Sequence, residues 1–202
     1  IAEIFDIEIY PNYFVLCSIN NTTKERAYFE IDENKNDLKK LLEWVKIKRL
    51  RVGHNILQFD NLLLSYLDKN RQNLFASDNL YIVSELKRIC DKIINKKRNE
   101  KWDDEMKELF KFQFNCIDTL AIMNTVDKVG LKQVSINLKY HNVQELPYAP
   151  DTILTQEEKD NVREYCYNDC EISCLLYDKK LPDLELRRDV TKRYGLNVIN
   201  SN

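Results

Sequence analysis

The sequence predicts an α/β fold in which a mixed five-stranded sheet is flanked by helices. Alternating apolar residues open the chain, and turn residues interrupt this pattern twice within the first thirty positions, as in an antiparallel meander. Two further apolar segments, each short enough for a strand, lie between stretches with helical periodicity. We therefore expect a three-stranded antiparallel meander extended by two parallel strands, with a charged helical insertion between the fourth and fifth strands.

The composition of the 202 residues is that of one packed domain, or at most two small ones. Hydrophobic residues make up 44% of the chain and aromatic residues 10%, which argues against disorder. No apolar run approaches the ~18 residues that a membrane helix needs, and no signal-peptide pattern occurs. We expect a monomeric cytoplasmic domain without a membrane partner. Ile1, in place of an initiating Met, is compatible with a piece of a longer protein.

Charge and cysteine content exclude several kinds of partner and site. A net charge of −2, from 31 basic and 33 acidic side chains, gives no general attraction to duplex DNA or to a membrane surface. A small nucleic-acid-binding site that binds its own metal cations is still compatible with this net charge. The six cysteines are too sparse for a disulfide framework, so we expect reduced thiols. Cys166, Cys170 and Cys174 repeat every four residues, which predicts a small apolar helix stripe rather than a metal site.

Alternation and turns define the first three strands, and a cap introduces the first helix. We predict strands joined by short polar turns over residues 2–10, 13–18 and 27–31. After Asn36 or Asp37, either of which can cap a helix, leucines recur at helical spacing from Leu38 onward.

A fourth strand and a basic helical segment occupy the middle of the chain. Residues 50–54 form a short apolar strand, and a helix is predicted to begin at Asp60. Because aspartate commonly caps helices, Asp60 alone indicates no site. Residues from about 77 to 110 are strongly charged but keep apolar residues at helical spacing, which predicts a helical hairpin or insertion. Its cations form either a solvated face or, as the minor alternative, a contact surface for backbone phosphates.

The last third of the chain completes the sheet and adds a long helix. We predict the fifth strand over residues 112–118 and a short helix over about 131–140. Thr155, with Glu158 three residues later, predicts a capping box that starts a helix extending to about residue 178.

A separate C-terminal segment is expected after that helix. We place its start at Pro182 and its C-cap at Gly195. The resulting boundaries give a main domain over residues 1–182 and a C-terminal helix with the start of a linker over residues 183–202.

Acidic side chains recur at three places in this pattern. Asp6 and Glu8 lie two apart on the first strand and therefore share a face, although a hairpin strand with one solvated face is an alternative. Tyr165 and Asp169 lie four apart on the last long helix, so they also share a face and can act on one site.

Three motifs in this order resemble those of the proofreading 3′→5′ exonucleases of the RNase H-like, DnaQ-like superfamily. They are Asp6-Ile7-Glu8, Asn55 followed by Phe59-Asp60, and Tyr165 with Asp169. The resemblance is closest to the exonuclease domain of family B DNA polymerases, particularly phage-type ones, and covers almost the whole chain. Ile9 departs from the Thr that many members carry after the Glu, which puts one contact to the primer end in doubt.

The resemblance implies hydrolysis of single-stranded DNA from its 3′ end to nucleoside 5′-monophosphates. It implies two divalent cations, Mg²⁺ or Mn²⁺, held by Asp6, Glu8, Asp60 and Asp169, and a water-orienting role for Tyr165. Carboxylates suit such hard cations, and a pair of them about 4 Å apart can stabilise both the attacking and the leaving oxygen. The implied parent chain continues into a polymerase core and, if phage-encoded, works in the cytoplasm of a bacterial host.

The same resemblance assigns contacts with single-stranded DNA to Asn55, Phe59, Thr119 and Leu120. Phe59 offers a face on which a base can stack, with a core aromatic as the alternative. Two further alternatives are an RNA-directed or repair exonuclease of the same fold and a non-catalytic interaction domain. A histidine-type exonuclease is disfavoured, because no histidine precedes a late helical aspartate by four or five residues.

Overall fold

The computed structural model describes residues 1–111, 115–123 and 129–200, and within them a mixed five-stranded sheet is flanked by six α-helices. The strands are β1 Ala2–Tyr10, β2 Tyr13–Asn20, β3 Arg26–Asp32, β4 Leu50–Gly53 and β5 Cys116–Asp118. The helices are α1 Leu38–Lys46, α2 Asp60–Phe75, α3 Asn79–Ile94, α4 Asp104–Phe110, α5 Leu131–Asn137 and α6 Gln156–Tyr194, with a 3-10 turn at Ala121–Met123.

The sheet has the order β3-β2-β1-β4-β5. The first three strands are antiparallel neighbours, whereas β1, β4 and β5 run parallel. The predicted meander with two added parallel strands is confirmed. Within the described residues, no helix combines the length and the hydrophobicity that are needed to cross a membrane.

Helices cover both faces of β1. Phe5, Ile7 and Ile9 pack into the core that α1, α2, α3 and α4 share with one face of the sheet. On the other face, Ile4 and Tyr10 pack into the core that α6 covers. The alternative of a hairpin strand with one solvated face is therefore wrong, and the face that carries Asp6 and Glu8 is turned toward α6.

Strand β1 extends well beyond its parallel neighbour. It pairs with β2 from Glu3 to Tyr10, but with β4 only from Ala2 to Ile4. From Asp6 onward, one edge of β1 therefore has no partner strand among the described residues. In α/β sheets, ligands commonly bind beyond the carboxyl ends of parallel strands, where such an opening forms.

A close backbone contact fixes the point at which β4 ends. A Cβ atom at Gly53 would lie 2.7 Å from the backbone oxygen of Phe5 and 2.4 Å from Cγ2 of Ile56, so only glycine fits there without movement. The chain then turns through Asn55, whose φ of 63° lies in the left-handed region that asparagine tolerates better than most residues. This turn redirects the chain across the free edge of β1.

The charged segment forms α3 and α4, as the helical periodicity predicts. Four apolar residues of α3 are fully buried in the core between the sheet and helices α1 to α4: Ile82, Val83, Leu86 and Ile89. Helix α3 is therefore part of the layer that covers the sheet, and its opposite face is solvated.

Helix α6 begins at the predicted residue but continues to Tyr194, well past the predicted end near residue 178. Thr155 and Glu158 form the capping box, and Gly195 closes the helix with a φ of 68°. The predicted break at Pro182 is wrong, because the helix continues through it. Proline lacks the N–H that would donate to the carbonyl one turn back. Leu184 is nevertheless fully buried in the core between α6 and the sheet, here called the α6-side core, and keeps the last turns of the helix in place.

Several boundaries differ from the predicted ones. Strand β4 ends at Gly53 rather than at residue 54, and α5 ends at Asn137. Strand β5 starts at Cys116, while residues 112–114 of the predicted strand lie outside the described residues. The expected domain boundary after residue 182 falls inside α6. Beyond that helix, the Asn200 amide accepts from Asp118 N and donates to Cys116 O, both at 2.9 Å.

The six cysteines are free and buried. Cys166, Cys170 and Cys174 form the predicted stripe on α6 and pack into the core against β1 and β2. Small side chains at this contact let the helix approach the sheet closely, which brings its neighbouring polar residues to the end of β1.

Replacing Gly53 with Ala is expected to lower the free energy of unfolding by about 1–3 kcal/mol, because the added methyl group meets backbone at 2.7 Å. Gly130→Ala is the matched control, since a Cβ atom there has no neighbour within 4 Å among the described residues. Urea unfolding of the two variants measures the difference. Equal stability of the two would contradict the close contact between β1 and β4.

Candidate metal centre

Three carboxylates from two distant parts of the chain form a compact group. Asp6 and Glu8 project from β1, and Asp169 projects from α6; one oxygen of each lies within 4.8 Å of the others. Cys166, one turn before Asp169, donates its thiol hydrogen to the backbone oxygen of Asp6 at 3.4 Å. This contact holds the helix against the strand at the height where the acids meet. The group can hold a metal ion.

Asp60 approaches the same place from a third element. It is the first residue of α2, is only 3% exposed, and lines one cavity together with Asp6 and Glu8. The N-cap position is occupied by Phe59, so Asp60 does not cap the helix in the ordinary way. Its Oδ1 atom is buried and has no hydrogen-bond partner in the described part of the chain. A buried carboxylate oxygen without a donor is suited to a cation.

Burial and mutual repulsion make the ionised form of these acids costly without a cation. Burial raises the pKa of Asp6 and of Glu8 well above the usual range, and the neighbouring carboxylates raise both further. Burial likewise raises the pKa of Asp60. For Asp169, burial raises the pKa to about 7, although a hydrogen bond from Tyr165 acts in the opposite direction. Divalent cations would offset this repulsion.

Tyr165 lies one helical turn before Asp169 and faces the same group. Burial raises the pKa of its phenol far above the usual value, and the negative charges of Asp169, Glu8 and Asp6 add to this effect. The phenol therefore stays protonated at neutral pH. It can donate a hydrogen bond at the site but cannot serve there as a base.

Asp118 organises the turn that carries the second motif. Its carboxylate accepts hydrogen bonds from the backbone N–H of Asn55, at 2.9 Å, and of Leu57, at 3.0 Å. It also accepts from the N–H of Leu120 at 2.9 Å. Sequence reasoning treated Asp118 only as the end of a strand, since nothing in a single acid at a strand end shows which backbone donors it will meet.

The cavity beside the acids has a volume of about 240 Å³. Asn55 and Phe59 line it, as the motif predicts, and Phe59 is half-buried with part of its ring in the core. The Asn55 Oδ1 atom is buried without a partner among the described residues. The further wall residues that sequence reasoning did not predict include Lys87, Cys90, Ile94, Leu146 and Pro150.

Lys87 brings a positive charge to the wall of this acidic cavity. Its ammonium group pairs with Asp91 at 2.6 Å and with Asp151 at 3.0 Å, and its side chain is 13% exposed. Asp151 belongs to the segment before α6, which is fastened to the β1–β2 turn by reciprocal 2.9 Å hydrogen bonds between Asn12 and Leu154. Within a run of basic residues, no sequence signal distinguishes the one lysine that faces the cavity.

The two other predicted contact residues lie elsewhere. Thr119 is fully buried, and its hydroxyl lies 2.9 Å from His54 Nδ1 and 3.1 Å from Gly53 O. Neither Thr119 nor Leu120 lines the cavity beside the acids. The structure thus brings together Asp6, Glu8, Asp60, Tyr165 and Asp169, with Asn55 and Phe59 beside them.

The two histidines do not contribute a general base to this group. His54 lines the cavity, but both ring nitrogens are engaged, since Nε2 lies 2.8 Å from Val129 O, and burial lowers the pKa of the ring. His141 lines a different cavity with Tyr140 and Glu171. These positions agree with the low weight that the sequence gives to a histidine-type centre.

Comparison of the chain with protein-family models, with curated proteins and with solved structures gives no match. Function is therefore inferred from the geometry and chemistry of the acidic group.

We expect the wild-type chain to bind Mn²⁺ or Mg²⁺ in isothermal titration calorimetry, and Asp6→Asn to weaken binding more than tenfold. Because burial raises the pKa of these carboxyls, the acids must lose protons when they bind a cation. Affinity should therefore rise as the pH increases through about 7, and the heat should vary with the ionisation enthalpy of the buffer.

Asp189→Asn, which removes an exposed carboxylate far along α6, is the matched control and should bind like wild type. Unchanged affinity in Asp6→Asn would show that the three acids do not form the metal site.

Proposed function

We propose that this chain is a two-metal-dependent 3′→5′ exonuclease domain of the RNase H-like, DnaQ-like type, acting on single-stranded DNA. The observation that carries the proposal is the convergence of Asp6, Glu8, Asp60, Tyr165 and Asp169 on one group. These residues come from three separate segments of the chain, and they are the residues of three motifs quoted from the sequence. The mixed sheet, with an antiparallel meander followed by two parallel strands, is the one that this superfamily implies.

The donor set suits hard divalent cations. Asp6, Glu8 and Asp169 would hold one cation, and Asp60, with its unpartnered Oδ1, would hold a second together with Asp6. When bound, Mg²⁺ or Mn²⁺ supplies the positive charge that stabilises the pentacovalent phosphate and its leaving oxygen. The nearby cysteines pack in the core between α6 and the sheet, and the Cys166 thiol lies 3.8 Å from Asp6 Oδ2.

The chain's own residues would orient the reactants. The protonated Tyr165 phenol would donate a hydrogen bond that positions the attacking water, since the phenol is held beside Asp169. Phe59 would stack on the terminal base, and the Asn55 amide would bond the strand end. Lys87 lies in the wall of the same cavity, but its charge is already paired with Asp91 and Asp151.

The size of the cavity supports an unpaired strand end as the substrate. A volume of about 240 Å³ is small for a ligand pocket, which favours a single unpaired nucleotide over a base pair. Hydrolysis of one terminal residue at a time, with release of nucleoside 5′-monophosphates, is what the resemblance of the three motifs implies for such a substrate. Such an activity is that of a proofreading domain joined to a DNA polymerase core in a longer chain.

Incubation with Mg²⁺ and a single-stranded DNA labelled at its 5′ end should shorten the strand one nucleotide at a time. Asp6→Ala combined with Glu8→Ala should reduce the rate to background, because it removes two of the three converging carboxylates. A ladder of products resolved on a denaturing gel measures the rate. Shortening that survives the double substitution would overturn the proposal, and faster cleavage of a matched RNA strand would favour an RNA-directed enzyme.

Tyr165→Phe should lower kcat about a hundredfold and leave KM nearly unchanged, because it removes a hydrogen bond made to the reacting water rather than to the strand. Tyr167→Phe, two residues along the same helix and packed in the α6-side core, is the matched control and should keep the wild-type rate. Steady-state kinetics on a single-stranded oligonucleotide separate the two constants. A rise in KM with kcat unchanged would assign Tyr165 to substrate binding instead.

A further inference from the structure

The connection between α3 and α4 carries a cluster of basic side chains that, unlike those on the flanking helices, are not paired with acids in the described structure. Lys96, Lys97, Arg98 and Lys101 lie in this connection, with Glu100 as the one acid among them. We call residues 96–101 the basic tip. Lys97, Arg98 and Lys101 are exposed, and none of the four cations forms an ion pair within the described residues.

Cations on the flanking helices are instead neutralised by acids. Lys87, Arg88 and Lys92 of α3 are all in ion pairs, as are Lys107 of α4 and Lys111 directly after it. The sequence shows one basic run, but the structure divides it into helices whose cations are paired with acids and a tip whose cations form no ion pair among the described residues. Free, clustered cations on a chain of net charge −2 form a local positive surface.

The helix ends that carry the basic tip are joined by ion pairs and by an aromatic contact. Arg88 makes a bidentate pair with Glu105 at 2.8 and 2.7 Å, which ties α3 to α4. Lys92 adds a 2.8 Å pair to Asp103, the residue that caps α4. Trp102 packs on Phe110 with ring centroids 5.5 Å apart. Because these helix ends are joined, the cations are presented by a fixed scaffold, and less entropy is lost when a ligand binds.

The basic tip is continuous with the candidate metal centre. Helix α3 forms one wall of the cavity through Lys87, Cys90 and Ile94. Ile94 is the last residue of that helix and is 63% exposed, and the tip begins two residues later. A strand whose 3′ end lies in the cavity can therefore leave it along α3 and reach the tip.

We infer that the basic tip is a binding surface for the sugar-phosphate backbone of single-stranded DNA, upstream of the nucleotide being removed. This inference deepens the proposed function and rests on it. The three acids that line the cavity and the adjacent Asp169 repel a polyanion, so affinity for the rest of the strand must come from cations outside the cavity. Unpaired lysines and an arginine supply this without sequence preference, as backbone contacts do. Strands long enough to reach the tip should bind more tightly than those confined to the cavity.

The test compares two triple variants that remove the same charge. Lys97→Gln, Arg98→Gln and Lys101→Gln together neutralise the tip. Lys39→Gln, Lys46→Gln and Lys48→Gln together neutralise three exposed cations of α1 and the turn after it, which form no ion pair in the described structure and do not line the cavity. Thermal unfolding checks that both variants fold like wild type.

Binding is measured by fluorescence anisotropy in EDTA, which prevents cleavage, with labelled oligothymidylates of sixteen and of four nucleotides. For single strands, the slope of log affinity against log salt is about −0.7 per phosphate contacted, so loss of three cations should reduce its magnitude by about 2 for the long strand. Affinity for the long strand should fall about tenfold or more in low salt. The four-nucleotide strand, and the α1 variant with either strand, should behave like wild type.

The inference is overturned if the tip variant binds the long strand like wild type, if the α1 variant loses as much affinity, or if the wild-type chain binds no single strand. Cleavage of the four-nucleotide strand in Mg²⁺ tests the proposed function separately. If single strands bind through the basic tip but are not cleaved, the inference stands and the proposed exonuclease activity is overturned. If single strands are cleaved but the tip variant binds them like wild type, the exonuclease activity stands and the inference is overturned.

Discussion

Repulsion among buried carboxylates is the constraint that the rest of this structure must meet. Burial raises the pKa of Asp6, Glu8 and Asp60, so the ionised group is costly in the absence of cations. The surrounding fold supplies the stability that offsets this cost, through a sheet buried on both faces and a long capped helix. A site that destabilises the free protein but favours a charged ligand is the usual form of a preorganised centre.

Strand lengths decide where this group is placed. If β4 paired with β1 over its whole length, a neighbouring strand would occupy the space beside Glu8. Because pairing stops at Ile4 and Gly53 permits a close approach to Phe5, the chain can turn back and place Asp60 across the free edge. Asp118, on the adjacent parallel strand β5, then holds this turn because its carboxylate accepts hydrogen bonds from the backbone N–H groups of Asn55 and Leu57. The antiparallel part of the sheet carries two acids, and the parallel part positions a third.

Sequence patterns predicted the individual strands and helices of this fold better than the way in which they connect and pack. Alternation and helical spacing depend on local side-chain order, so the sheet, the capping box and the cysteine stripe could be predicted. The continuity of α6 through Pro182 could not, because it depends on tertiary packing of Leu184. Likewise, the D-x-E spacing places two carboxylates on one face of a strand, and the Y-x-x-x-D spacing places a phenol and a carboxylate on one face of a helix. The cavity wall formed by Lys87 and Pro150, in contrast, depends on how distant segments pack.

Pairing of charges, rather than their number, separates structural from available cations in the α3–α4 segment. A basic run in the sequence gives the same signal whether its members bind carboxylates within the fold or face solvent. Bidentate contact between Arg88 and Glu105 uses one such cation to join two helices, and its charge is then largely cancelled. Cations of the basic tip lack such partners among the described residues, so their field extends into solvent beside an acidic cavity. That arrangement favours a ligand that is anionic along its length and also coordinates cations at its end, as a nucleic-acid strand does.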